Sequence, residues 1–102
     1  LRKKAGSDDL DDAFMSVVVY TKVADPYSVR ACTLLRMKGV TFVEKEVAAP
    51  GVVDEMLRVT GSSSTPQIVI HGTVVGGFEE LGSLELKGEL DRLLHSTHHE
   101  RN

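Results

Sequence analysis

The sequence predicts an α/β fold: a four-stranded mixed sheet flanked by three helices, in the order β-α-β-α-β-β-α. Three observations carry this. A continuous β-branched run, Val17 to Tyr20, leads into an Asp25-Pro26 helix start. Two short apolar runs, Gln67 to Ile70 and Thr73 to Val75, are separated only by His71 and Gly72, the spacing of a tight hairpin. A leucine-rich amphipathic segment then closes the pattern.

The first strand, Val17 to Tyr20, has no polar alternation, as expected of a strand covered on both faces. Asp25 offers a side-chain acceptor at an N-cap and Pro26 fits the first helical position. Val29, Ala31, Leu34 and Leu35 follow at helical spacing, and Gly39 is the expected stop. Thr41 to Val47 sets Phe42 and Val43 beside Glu44, Lys45 and Glu46, which predicts a second, less buried strand before Pro50 and Gly51. Val52 to Val59 places Val53, Met56 and Leu57 on one helical face, ended by Gly61 and a serine-rich turn. After the hairpin, Gly76 and Gly77 stop the strand pattern. Leu84, Leu86, Leu90, Leu93 and Leu94 then predict one last helix packed on the sheet. A right-handed crossover joins the first two strands in this plan, with helices on both faces.

The chain has 102 residues, 41% of them hydrophobic, enough for one modest core. Its net charge is −3 and it has no basic block long enough to follow a phosphate backbone, which argues against a nucleic-acid partner. Its longest apolar runs are too short to span a bilayer, and no apolar segment follows Arg2, Lys3 and Lys4 as in a signal peptide. The expectation is a cytoplasmic protein without a membrane partner. Residues 1–15 read as a disordered tail, a linker or a cloning scar, residues 16–94 as the domain, and residues 95–102 as a polar tail. His95, His98 and His99 crowd that tail and read as a solvated end, with no metal site expected. Cys32 is the only cysteine, so no internal disulfide or cysteine metal cage can form.

Residues 17 to 35, VVVYTKVADPYSVRACTLL, resemble the glutaredoxin active-site region, where a strand ending Tyr-Thr-Lys leads to Cys-Pro-Tyr-Cys or Cys-Pro-Tyr-Ser. Ser64-Thr65-Pro66-Gln67 resembles that family's Thr-Val-Pro-Gln segment, and Gly76 to Leu81 resembles its Gly-Gly-x-x-Asp-Leu segment. The closing LELKGELDRLL is also similar to the family's last helix. The three motifs fall in the family's order and span Ser16 to about Leu94. The resemblance implies a thioredoxin-like fold.

In glutaredoxins the first cysteine of the tetrad attacks a glutathione mixed disulfide as a thiolate stabilised by a helix N-terminus and a nearby lysine. Asp25 stands at that position here, and Ser28 at that of the second cysteine, where serine also occurs in monothiol members. The resemblance therefore implies a site whose catalytic positions, Asp25 and Ser28, do no thiol-disulfide exchange. It further implies that Lys22 and Tyr27 flank a bound tripeptide and that the backbone of Thr65, before a cis Pro66, pairs with its cysteinyl unit. Phe78 and Glu79 present backbone groups, and Glu80 matches the acidic residue that receives the γ-glutamyl ammonium, with one extra methylene. No cofactor is required; glutathione, a glutathione-like ligand or a protein partner is the expected occupant.

From the residues alone, Asp25 is an N-cap, with a general base, hydrogen-bond acceptor or metal ligand as the sharper alternative. Lys22 is placed to pair with it. Thr65-Pro66 also reads as a turn, and Glu79 and Glu80 as helix-start charges. Cys32 lies two helical turns beyond Asp25, ~10 Å along the axis, too far to take over its position. It reads as a small packing residue. The rival expectation is a divergent glutathione-dependent oxidoreductase or redox sensor using Cys32, whose pKa Arg30 and Arg36 would lower if the thiol is exposed.

Overall fold

A computed structural model describes residues 16–95 of the chain. The expected tails, residues 1–15 and 96–102, lie outside the described residues. Four strands and four helices follow in the order β1 (Val17–Thr21), α1 (Pro26–Met37), β2 (Val43–Glu46), α2 (Val52–Thr60), β3 (Gln67–Ile70), β4 (Thr73–Gly76), α3 (Phe78–Leu86) and α4 (Leu90–His95). The strand order is β2-β1-β3-β4, with β1 and β2 parallel and the β1–β3 and β3–β4 pairs antiparallel. This is the mixed sheet that the sequence pattern predicts.

Alternation along β1 and β3 distributes the core between the two faces of the sheet. Val17, Val19, Ile68 and Ile70 pack with Ala31, Cys32 and Leu35 of α1, Leu81 of α3, and Leu90 and Leu94 of α4. On the opposite face Tyr20 and Val69 pack with Met56 of α2, supported by Val18, Val47 and Val52. The Tyr20 hydroxyl, at the edge of this second cluster, donates to Glu55 Oε2 at 2.6 Å. Lys45 Nζ donates to the same oxygen at 2.6 Å and so ties β2 to α2. Burial would raise the Glu55 carboxyl, but the hydrogen bonds from Lys45 and Tyr20 outweigh it and hold its pKa below the ordinary value. The Tyr20 phenol is pushed up by burial and by its bond to Glu55.

The closing segment departs from the expected single helix. Helix α3 starts at Phe78, and Gly88, at φ 74°, breaks the chain into α3 and α4, giving four helices rather than three. A left-handed residue there costs glycine little. The break re-aims Leu90 and Leu94 into the core while leaving Leu86 89% exposed. His95, expected in a polar tail, is the last residue of α4. His71 in the hairpin turn holds the end of α4 through an Nε2 contact to the Leu94 carbonyl at 2.8 Å. Strand β2 is shorter than expected because Phe42 turns toward the first core cluster, its ring 5.4 Å below the Arg36 guanidinium. Among the described residues no helix is long and apolar enough to cross a membrane.

Leu81 is fully buried and Leu86 almost fully exposed, which separates packing from propensity within one helix. Leu81→Ala is expected to lower unfolding free energy by about 2–5 kcal/mol and Leu86→Ala by less than about 0.5 kcal/mol, read by urea denaturation. Comparable losses would contradict the core assignment. The depressed Glu55 carboxyl contributes stability above the ordinary glutamate pKa, and that contribution is lost as pH falls through its lower, folded value. Acid destabilisation below about pH 4.3 is therefore expected to be shallower in Glu55→Gln than in the parent chain, measured as stability against pH.

Candidate functional site

Strand β1 ends at Thr21 and α1 begins at Pro26, with four residues between them, so a tight turn sets the helix N-terminus beside the end of the central strand. Ala24 makes that turn at φ 65°, a conformation few non-glycine residues adopt. The Asp25 N–H donates to the Lys22 carbonyl at 3.2 Å. Asp25 is the N-cap: its Oδ1 accepts from the Tyr27 N–H at 3.2 Å, and Pro26 follows at a position where a missing N–H costs nothing.

The other carboxylate oxygen joins three parts of the chain. Asp25 Oδ2 accepts from the Ser28 hydroxyl at 2.8 Å and from the Thr65 hydroxyl at 3.5 Å, while Ser28 Oγ accepts from the Lys22 N–H at 3.2 Å. Ser28 is buried and thus links the turn, the cap and the loop before β3. Burial of Asp25 pushes its pKa up, but hydrogen bonds from Ser28, the Tyr27 and Ser28 N–H groups and Thr65 outweigh this, holding the carboxyl below its ordinary value. It is an anion at neutral pH. The expected Lys22–Asp25 ion pair does not form: the link between these residues is the backbone hydrogen bond, and the neutral donors have taken the place of the cation.

Thr65-Pro66 is a cis peptide bond, as the motif predicts. Thr65 and Pro66 form one wall of an open cleft of about 640 Å³, with Tyr27 from α1 and Phe78, Glu79 and Glu80 from the start of α3 around it. The Tyr27 and Phe78 rings lie 6.2 Å apart and tilted by 42°, and the Arg30 guanidinium covers the Tyr27 ring at 5.2 Å. Glu80 turns back on its own helix, its Oε1 accepting from the Gly77 N–H at 2.8 Å. A Cβ at Gly76 would come within 3.2 Å of the Glu80 side chain, and one at Gly77 within 3.3 Å, so the glycine pair leaves room for that reach-back. The helix-start reading of Glu80 is therefore met in the geometry.

The fold thus gathers Asp25, Tyr27, Ser28, Thr65, Pro66, Phe78, Glu79 and Glu80 around one cleft end. Lys22 joins through its backbone, with its side chain exposed. Ser64 and Gln67 of the cis-proline motif also line the cleft, together with Ser62 and Val75, which no motif singles out. The serine run looked only like a helix stop, yet Ser62 caps the turn by accepting from the Ser64 N–H at 3.0 Å. Cys32 stands apart, 4% exposed in the first core cluster. Burial pushes its thiol pKa up and Glu44 adds to this; Arg36 opposes both without reversing them, and Arg30 is turned to Tyr27. The exposure on which a lowered Cys32 pKa depends is absent, and the packing reading of Cys32 is the one met in the structure. Among the described residues no group of three or more His, Cys, Asp or Glu is arranged to hold a metal ion.

Residues 17–75 match the family model described as Glutaredoxin. The chain is 46% identical over 81 residues to a glutaredoxin of Pseudomonas aeruginosa, an alignment covering 76% of this chain and 94% of that protein. Among solved structures, the glutaredoxin of Brucella melitensis superposes with a TM-score of 0.68 at 40% identity, over 80% of this chain and 90% of the other. A buckwheat glutaredoxin-glutathione complex superposes with a TM-score of 0.73 over 90% and 88% of the two chains, and at 22% identity this likeness speaks for the fold alone. The sheet order, the cis-proline wall and these similarities converge: the chain belongs to the glutaredoxin family, with its thioredoxin-like fold.

Proposed function

We propose that this chain is a non-catalytic glutaredoxin module whose cleft binds glutathione or an extended segment of a protein partner, in a cytoplasmic setting. One observation carries the reading: the group at the N-terminus of α1, where the family's motif has its nucleophilic cysteine, is the carboxylate of Asp25. A carboxylate can neither form nor break a disulfide bond. Its oxygens are engaged by Tyr27, Ser28 and Thr65, which fits a settled capping role better than an exposed general base.

The binding half of the reading draws on what surrounds that cap. The buckwheat relative is a glutaredoxin-glutathione complex. What supports the reading in this chain is the lining of its own cleft: Thr65 before the cis bond, the Tyr27 and Phe78 rings, and the first residues of α3, whose free amides favour a carboxylate. Lys22 and Tyr27 would flank the tripeptide, the Thr65 backbone would pair with its middle residue, and Phe78 and Glu79 would present backbone groups. Glu80 has one carboxylate oxygen on Gly77, leaving the second for an ammonium group. Cys32 is a poor basis for a redox alternative, because a buried thiol with a raised pKa has little thiolate to attack with.

No glutathione-dependent reduction of a small mixed disulfide above background is expected, in the parent chain or in Cys32→Ser. Turnover that disappears in Cys32→Ser would move the chemistry to that thiol and sink the proposal. Asp25→Cys places a thiol where the α1 amides favour an anion, and it is expected to titrate below the value of about 8.5 for free cysteine. Its thiolate should attack the sulfur of a glutathione mixed disulfide, taking over the glutathionyl group and releasing the other half as a thiolate. Loss of the cap costs about 1 kcal/mol, small for a folded domain. A folded variant with a low-pKa thiol that does not become glutathionylated, as read by mass spectrometry, would mean that the cleft is no glutathione site.

A further inference from the structure

The charged side chains that line the cleft are all acidic, and the exposed Lys22 beside it joins the Asp25–Ser28 network only through its backbone. The lining includes Glu79 and Glu80 and no lysine, arginine or histidine. Asp25 adds a third carboxylate at the Thr65 wall. The partners of Asp25 are hydroxyl and amide groups, which share its hydrogen bonds but bring no positive charge. The ion pairs among the described residues, Lys38 with Glu85 and Asp91 and Lys45 with Glu55, lie elsewhere. The cation that packs on a lining residue is Arg30, 5.2 Å from the centre of the half-exposed Tyr27 ring. Glutathione brings two carboxylates and one ammonium, a net negative charge, to this surface.

Resting on the reading of the cleft as a peptide groove, we propose that its preferred occupant is an extended segment of a partner protein carrying a lysine or arginine, whose charged head sits against Asp25. The Tyr27 and Phe78 rings, 6.2 Å apart, give the side-chain methylenes an apolar surface on the way to that carboxylate. Val23 and Val29, 68% and 59% exposed, flank the cap in sequence. Asp25 then acts as a specificity-determining residue: it rewards a cation and penalises an anion facing it. The counter-ion that the neutral donors of the turn do not give Asp25 is supplied by the ligand.

Capped pentapeptides acetyl-Gly-Ala-X-Ala-Gly-amide, with X as lysine, norleucine or glutamate, remove terminal charges and vary only the group presented. They are titrated into the full chain, with reduced glutathione as a fourth probe, following amide shifts of Thr65, Gly76 and Gly77 by NMR. The expected order is lysine tighter than norleucine tighter than glutamate, about two- to fivefold per step, as for a partly exposed ion pair. The lysine peptide should also bind more tightly than glutathione, and 0.5 M salt should compress the series. Asn is as good an N-cap as Asp, so Asp25→Asn should keep the fold while losing the order. Equal affinities in the parent chain, an order that survives in Asp25→Asn, or tighter binding of glutathione would overturn the proposal while leaving the groove in place. If none of the four probes moves these amides, the groove reading falls with it.

Discussion

Strand β1 has a neighbour on each edge and helices over each face, so its five residues fix the position of nearly everything else. Val17 and Val19 face α1, α3 and α4, while Tyr20 faces α2, and a shift of one residue would exchange the two cores. The antiparallel pairing Val17↔Ile70 through Tyr20↔Gln67 sets the register of β3 and thereby of the Thr65-Pro66 loop before it. The same strand delivers the chain to Lys22 and the turn that starts α1. Both walls of the cleft are thus hung from one buried strand, and the distance between Asp25 and Thr65 is a consequence of its packing.

At the end of that strand the electrostatics ask for an anion and are indifferent to which one. The first amides of α1 have no carbonyl partners inside the helix, and the field of the helix adds to their pull. A thiolate satisfies that demand in a redox enzyme; the Asp25 carboxylate satisfies it here with two oxygens, one on the Tyr27 amide and one on the Ser28 and Thr65 hydroxyls. Position 25 is therefore a place where chemistry can change while the fold is kept. Aspartate is also a better cap than cysteine, because its acceptor is ionised and its geometry suits the N2 amide.

Most of the fold was legible in the sequence because its signals are local: the β-branched run, the Asp25-Pro26 start, the two-residue hairpin spacing and the glycines at element ends. The closing helix was misjudged because the leucines at 84, 86, 90, 93 and 94 look like one amphipathic repeat. Gly88 acts through a positive φ that a hydrophobic pattern does not register. At the site, the motif residues, Ser64 and Gln67 among them, lead to the cleft, whereas Ser62 and Val75 reach it only through tertiary placement. Lys22 shows the limit of spacing arguments. Three residues from Asp25 it has the right charge for a pair, yet the buried Ser28 hydroxyl, which no periodicity points to, stands between the turn and the cap instead.

The polar groups at this cleft end are largely satisfied within the chain before any ligand arrives. Asp25 has its cap and two hydroxyls, Glu80 has the Gly77 amide, and Thr65 gives its hydroxyl to Asp25. A ligand that displaced these bonds would have to replace each of them, and an unsatisfied partner costs about 1–3 kcal/mol. Recognition that leaves them intact must therefore use what remains: backbone edges, the Tyr27 and Phe78 rings, and net charge. Charge is the one of these that hydrogen bonding by neutral donors does not consume. On the proposed reading, the anion at the N-terminus of α1 serves to choose what lies in the groove, on the same scaffold that holds a thiolate in a redox enzyme.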